Sequence, residues 1–210
     1  MIRIFIADDH AVVREGLKHI LSEMPDVLIA GEAGNGQEVL EKVGRKDYDL
    51  ILLDIAMPGR DGLEILKDLK LQKPKLPVLI LSMFPEEQYA LRALKSGASG
   101  YLTKDSIPDE LIKAVRKILK GGKYVSSSFS DKLLFSFDND AEKPIHETLS
   151  DREYQVLRMI ASGKTLQGIA DELSLSVKTI STYRTRILEK MCMKNSAELT
   201  HYAIKCNLVD

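Results

Sequence analysis

Tryptophan is absent from this 210-residue chain, and only two cysteines, Cys192 and Cys206, occur in it. They share no metal-ligand spacing with a histidine pair, so both are expected to be small core-like residues in a reducing compartment. A surplus of either charge is missing as well: 30 Lys and Arg stand against 31 Asp and Glu, for a formal net charge of −1. That excludes an overall basic footprint, and any nucleic-acid surface has to be local. No apolar run approaches membrane-spanning length, and the chain opens on a strand pattern without a basic and apolar leader. A cytoplasmic chain with no membrane partner is expected. Internal repeats are also lacking. What remains is 44% hydrophobic and 29% charged residues, the composition of globular protein and enough for one large domain or two small ones.

Short apolar runs alternate with amphipathic stretches over the first 121 residues. Strands are expected at Ile2–Ala7, Val27–Ala33, Leu50–Asp54, Val78–Ser82 and Gly100–Thr103. Helices are expected near Ala11–Met24, Gly36–Arg45, Leu63–Lys73, Pro85–Ser96 and Ile107–Lys120, the first with an apolar stripe of Val12, Leu17, Ile20, Leu21 and Met24. Five βα units of this length imply a doubly wound, five-stranded parallel sheet of α/β class. Residues 122–145 change character. A short linker helix carrying Phe129, Leu133, Leu134 and Phe137 is expected there, followed by a polar hinge from Asp138 to Pro144. Residues 146–210 read as helices only. Ser150-Asp-Arg-Glu153 is a capping box, Gly163 a stop, Thr165 a start, and a long helix begins at Val177. Two helices joined by a tight turn, the second longer and basic, outline a helix-turn-helix.

Leu50-Ile-Leu-Leu-Asp54 is an apolar run that ends abruptly in a carboxylate, and Ile2–Ala7 ends in Asp8-Asp9. Open α/β sheets hold their ligands beyond the carboxyl ends of the strands. With strands one and three adjacent, three carboxylates converge, and a hard divalent cation such as Mg²⁺ relieves their repulsion. Strand four ends in the Ser82 hydroxyl and strand five leads to the Lys104 amine. All these groups can meet around one small anion. A metal and Lys104 would neutralise charge on a transferring phosphoryl group, with Asp54 as its acceptor.

This arrangement resembles the receiver domain of two-component response regulators. The resemblance implies Asp54 as the phosphorylated aspartate, Asp8 and Asp9 as Mg²⁺ ligands with the backbone carbonyl of Ala56, Ser82 as the switch hydroxyl, Tyr101 as the switch aromatic and Lys104 as the phosphate-pairing lysine. Met57-Pro-Gly-Arg-Asp-Gly62 is similar to the loop after the acceptor. Asp105 stands where many receivers have proline. Tyr101 also fits a plain core aromatic. On phosphorylation, the resemblance implies, Ser82 moves to the phosphoryl group and Tyr101 turns inward, so that the face of helix four, strand five and helix five exchanges its contact with the C-terminal domain for contact with a second copy.

Between residues 176 and 194, Lys178, Arg184, Arg186, Lys190 and Lys194 face one acid, Glu189, although residues 146–210 are near neutral. Ser181, Thr182 and Thr185 share a stripe with Lys178 and are short enough to approach base edges. Lys178, Tyr183, Arg184 and Arg186 are assigned to phosphates, and Thr179 is placed with this DNA-binding set. Leu149-Ser-Asp-Arg-Glu153, Ile169-Ala170, Lys178-Thr-Ile180 and Leu188-Glu-Lys-Met191 are similar to the LuxR/NarL type of helix-turn-helix, from which Gly168 departs. In similar proteins the last helix pairs two copies on DNA, and Leu199, Ala203 and Cys206 fit either that role or core packing.

The implied domains are a receiver at 1–121, a linker at 122–145 and a DNA-binding domain at 146–210. The implied function is a transcriptional response regulator, phosphorylated by a sensor histidine kinase, binding double-stranded promoter DNA and dimeric when phosphorylated. The chain is not expected to be an enzyme. Its first rival is an aspartyl-phosphate phosphohydrolase, which needs a second acid two residues after the nucleophile, where Ala56 stands. A regulator that senses its signal without phosphorylation, or one that binds RNA, is the other alternative.

Overall fold

The computed structural model describes residues 1–57, 60–131 and 144–209. The chain folds as two compact units, residues 1–138 and 139–210. In the first, β1 (Ile2–Ala7), β2 (Val27–Ala33), β3 (Leu50–Asp54), β4 (Val78–Ser82) and β5 (Gly100–Thr103) form one parallel sheet in the order β2-β1-β3-β4-β5. Helices α1 (Ala11–Leu21), α2 (Gly36–Arg45), α3 (Gly62–Gln72), α4 (Glu86–Lys95) and α5 (Ile107–Leu119) connect and follow the strands. Strands β3 and β4 are buried at every residue, which is why they read as unbroken apolar runs. Alternate residues serve opposite faces. Ile4, Ile6, Leu50, Leu52, Leu79 and Leu81 pack with Leu17, Leu21, Leu111 and Val115 of α1 and α5, while Phe5, Ile51, Leu53 and Ile80 are buried on the other side.

One expected core residue is not in the core. Val12 is 84% exposed, whereas its neighbour Val13 packs against the cluster. At 3.6 residues per turn Val12 lies roughly 140° around the helix from Leu17, and Val13 only about 40° from it. Beyond β5 the chain continues onto the sheet edge. Tyr124 bridges Gly100 in parallel register, its N–H donating to Ser99 O at 3.0 Å and its carbonyl accepting from Tyr101 N at 2.9 Å. The backbone is helical over 127–131, with Phe129 buried. The expected linker residues Leu133, Leu134 and Phe137, the hinge up to residue 143, and Pro58-Gly59 of the loop after Asp54 lie outside the described residues.

In the second unit a 3₁₀ turn at Ile145–Thr148 precedes α6 (Asp151–Ala161), α7 (Leu166–Glu172), α8 (Val177–Lys190) and α9 (Ser196–Lys205). The capping box at Ser150 and Glu153 is complete in both directions. Thr165 caps α7 and Ser176 caps α8. Between these two helices Ser174 adopts φ +53°, and Leu175 N–H closes the turn on Ala170 O at 2.8 Å. Ile180, Ile187 and Met191 bury one side of α8. The cysteines depart from expectation: Cys192 is exposed and Cys206 half-buried. Cys192 sits just past α8 at φ +55°, in the turn rather than on a packed stripe. Among the described residues no helix is long and apolar enough to cross a membrane.

Candidate functional site

The order β2-β1-β3 puts the ends of β1 and β3 side by side at the point where the chain direction across the sheet reverses. Asp8 and Asp54 there are buried, 0% and 1% exposed, and the Lys104 ammonium lies between them. Its Nζ donates to Asp8 Oδ2 and to Asp54 Oδ2, both at 2.7 Å. Backbone donors hold the remaining oxygens: His10 N–H reaches Asp8 Oδ1 at 2.8 Å, and Ala56 N–H reaches Asp54 Oδ1 at 3.0 Å. Gly62 opens α3 so close behind Asp54 that a Cβ there would stand 2.6 Å from Asp54 O. Only glycine fits.

Burial pushes the Asp54 carboxyl above its ordinary range, with Asp8 adding to the push and Lys104 and the Ala56 N–H opposing it. Burial alone would favour neutral Lys104, yet the two carboxylates outweigh it and raise the ammonium. The pocket therefore gathers three acids against one cation. Asp9 Oδ1 is buried and has no hydrogen-bond partner, with His10 Nδ1 2.9 Å away. Asp8, Asp9, His10 and Asp54 each bring one ligand atom within 4.8 Å of the others. An oxygen-rich, net-negative set with an orphaned carboxylate oxygen fits a hard divalent cation.

Ser82 ends β4 next to Leu81, the register partner of Asp54, and is fully buried. Its Oγ accepts from Phe84 N–H at 3.0 Å. Tyr101 is already inward and buried, its hydroxyl donating to Phe84 O at 2.8 Å. The Phe84 ring stacks on Tyr89 with centroids 5.0 Å apart. After β5, Lys104–Ser106 form a 3₁₀ turn, so Asp105 is accommodated in the loop where proline is usual. Ala56 follows two residues beyond Asp54 and is exposed. The sequence reading missed one residue of this pocket's wall, Arg14, while His10 is exposed as its place in the turn suggests. His10 contributes through its N–H as well as its ring, and Arg14 donates from Nη1 to Asp8 O at 2.8 Å while Glu32 holds its Nε at 3.1 Å. An arginine one turn into α1, soon after Asp8-Asp9 in the chain, was the available signal.

On α8, Lys178, Ser181, Thr182, Thr185 and Arg186 are exposed, and Thr179, Tyr183 and Arg184 are half-buried. Thr182 and Thr185 donate their hydroxyl protons to the carbonyls of Lys178 and Ser181 at 3.0 and 3.1 Å, which leaves oxygen lone pairs facing outward. Thr179 is engaged in the Ser176 cap, and Arg184 Nε donates to Ser196 Oγ at 2.8 Å, tying α8 to α9. Leu199 and Ala203 are 0% exposed and belong to the core of their own unit. Pairing of copies through them is thereby excluded. The outward side of α9 carries His201, Ile204 and Lys205 instead.

Two family models match the chain: the response regulator receiver domain over residues 4–116 and the luxR family of bacterial regulatory proteins over residues 147–203. Response regulator GacA of Pseudomonas protegens is 36% identical, covering 100% of this chain and 99% of its own length. Oxygen regulatory protein NreC of Staphylococcus epidermidis is 37% identical, with 99% of each chain covered. Among solved structures, RcsB from Salmonella enterica serovar Typhimurium bound to promoter rprA in the presence of phosphomimetic BeF3⁻ aligns with a TM-score of 0.67 at 27% identity, covering 96% of this chain and 97% of that one. Likeness of this extent runs through both units, and the chain belongs to the response regulators that couple a receiver domain to a luxR-type regulatory domain.

Proposed function

We propose that this chain is a DNA-binding transcription regulator switched by phosphorylation of Asp54 from a sensor histidine kinase, acting in the cytoplasm and without enzymatic turnover of its own. Residues 1–121 serve as receiver, 122–145 as linker and 146–210 as output domain. The observation that carries this reading is Lys104 Nζ at 2.7 Å from both Asp8 and Asp54 at the rim of the sheet. In the transfer, an Asp54 carboxylate oxygen forms a bond to phosphorus as the donor's P–N bond breaks, and the imidazole leaves with the electron pair. Lys104 opposes the push of burial on the Asp54 carboxyl and then follows the phosphoryl oxygens. Asp8, Asp9, Asp54 and the Ala56 carbonyl would hold Mg²⁺, which supplies positive charge to the same oxygens. The Ser82 hydroxyl turns from Phe84 N–H to donate to the phosphoryl group, and Tyr101, already inward, holds the β4–α4 loop that must respond.

On the output side, Ser181, Thr182 and Thr185 present acceptor lone pairs to base edges, while Lys178, Tyr183, Arg184 and Arg186 contact phosphates. Thr179 sets the helix start from which they project. RcsB structures with promoter DNA, and as dimers on DNA, support binding of promoter DNA and a dimeric active form. Incubation with labelled acetyl phosphate and Mg²⁺ is expected to give acid-labile phosphate on the wild type and none on Asp54→Asn. The same treatment is expected to tighten a promoter gel shift for the wild type alone. Persistent labelling of the variant refutes the acceptor assignment, and binding to single-stranded RNA in preference to duplex DNA refutes the output assignment.

A further inference from the structure

Glu86, the first residue of α4, is a buried carboxylate that neither the phosphoryl pocket nor the DNA-reading helix uses. Both of its oxygens are committed to one residue forty positions away. Ser126 N–H donates to Oε1 at 2.9 Å and Ser126 Oγ–H donates to Oε2. Ser126 is itself a helix cap. Its Oγ accepts from Phe129 N–H at 3.2 Å and its carbonyl from Ser130 N–H at 3.0 Å, so the helical backbone at 127–131 starts on it. Two residues earlier, Tyr124 is fastened to a different element through its backbone pairing with Ser99 and Tyr101 at β5. The segment is thus anchored at two points, one on the edge of β5 and one on α4. A two-residue span covers at most about 7 Å when extended. With so short a span between them, displacement of α4 against β5 is borne at these two anchors.

The α4 anchor is joined to the pocket by a short run of bonds. Ser82 Oγ accepts from Phe84 N–H, Phe84 O accepts from Tyr101 OH, and the Phe84 ring stacks on Tyr89 inside α4. Glu86 follows Phe84 by two residues. When Ser82 turns toward a phosphoryl group, Phe84 N–H loses its acceptor unless the loop from 83 to 86 follows, and that displacement falls on Glu86 while Tyr124 stays with β5.

We propose that Glu86 is the positioning residue through which the state of Asp54 sets the placement of the segment leading to the output domain. The Glu86–Ser126 pair is closed in the unphosphorylated chain and opens on phosphorylation, releasing the helix start at residues 126–131. This rests on the phosphoacceptor role of Asp54, and the test separates the two. Full-length protein is followed by hydrogen exchange at the amides of Ser126, Phe129 and Ser130, with Mg²⁺ and with or without beryllofluoride, whose binding is read independently by ¹⁹F NMR. In the wild type, beryllofluoride is expected to speed exchange at these three amides by about tenfold or more, while Tyr124 and Tyr101 are unaffected. In Glu86→Gln and Ser126→Ala, exchange is expected to be fast in both states. Acetyl phosphate labelling stays near the wild-type rate in these variants, and unphosphorylated DNA affinity moves to within about threefold of the phosphorylated value. Two variants on opposite sides of the contact guard against a local folding defect in either one, checked by their circular dichroism. Equal protection with and without beryllofluoride, in protein whose ¹⁹F signal shows it bound, overturns the latch and leaves the acceptor intact. Absence of any bound ¹⁹F signal in the wild type overturns the acceptor and the latch together.

Discussion

Lys178 and Thr185 are seven residues apart on the same exposed side of α8, yet substitution is expected to separate them. On the proposed assignment Lys178→Ala removes a phosphate contact, so it should weaken binding to all duplexes alike and flatten the log K against log salt slope by about 0.9. Thr185→Val keeps the shape, removes the oxygen whose proton is already given to Ser181 O, and should cost about 1–3 kcal/mol at one base position while leaving the salt slope alone. Competition binding over sites varied one base at a time, at several salt concentrations, distinguishes the two. A uniform loss for Thr185→Val would remove it from base reading. Arg184 differs from Lys178 in that its Nε is already given to Ser196, so its loss should weaken phosphate contact and also loosen α9 from α8. The same contrast explains what could be read from sequence at this scale. Asp8, Asp9, Asp54, Ser82 and Lys104 each terminate or follow an apolar strand, and a parallel sheet brings all such ends to one rim. Arg14 escaped because its role depends on how the first turn of α1 leaves β1, which no periodicity encodes.

The elements of the output unit begin on polar side chains, and two of those starts make predictions. Glu153 closes the capping box of α6 and also accepts from Lys190 Nζ at 2.6 Å. Burial works to raise its carboxyl, but Lys190 and the Ser150 donors outweigh it and hold the group below its ordinary value. A lowered folded pKa means the ionised form contributes stability above the unfolded pKa, and the contribution fades as pH falls through the depressed value. Glu153→Gln should therefore be destabilising by about 1 kcal/mol at pH 7, and the gap to the wild type should close as the pH drops below the ordinary carboxylate range near 4.5. Denaturant melts at several pH values measure that gap, and one that stays constant would contradict the charged pairing. Gly168→Ala is expected to act the other way, stabilising by about 0.5–1 kcal/mol, since its new Cβ would meet only Thr165 Oγ1 at an ordinary 3.4 Å. A loss of stability in the same melts would contradict it. All five strand spans were legible because β3 and β4 are buried on both faces and the others end on clear breaks. Helix α2 kept its expected bounds, while other helix ends moved by one to three residues, as where the Asp61 cap starts α3 at Gly62 and not at Leu63. The pairing of Tyr124 with β5 and of Ser126 with Glu86 had no sequence signal, because each joins a featureless segment to a distant partner.

At the scale of the whole chain, a net charge of −1 conceals two units with different ligands, and that difference should be visible in how each one melts. The first unit gathers Asp8, Asp9 and Asp54 around an orphaned oxygen, and a divalent cation held there would bind the folded form and not the unfolded form. The helical unit shows no comparable acid cluster among the described residues. Mass action then gives the first unit about 2.7 kcal/mol at Mg²⁺ a hundredfold above its dissociation constant, worth roughly 10 °C for a domain of this size. Calorimetry of the full chain is expected to show one transition that climbs with Mg²⁺ and one that does not, and Asp9→Asn should abolish most of the climb. A salt control with NaCl at equal ionic strength separates site binding from screening, because screened repulsion among surface charges would lift both transitions together. If Mg²⁺ instead raises only the transition that survives Asp9→Asn unchanged, the cation is held elsewhere and the acids at the sheet rim answer to Lys104 alone.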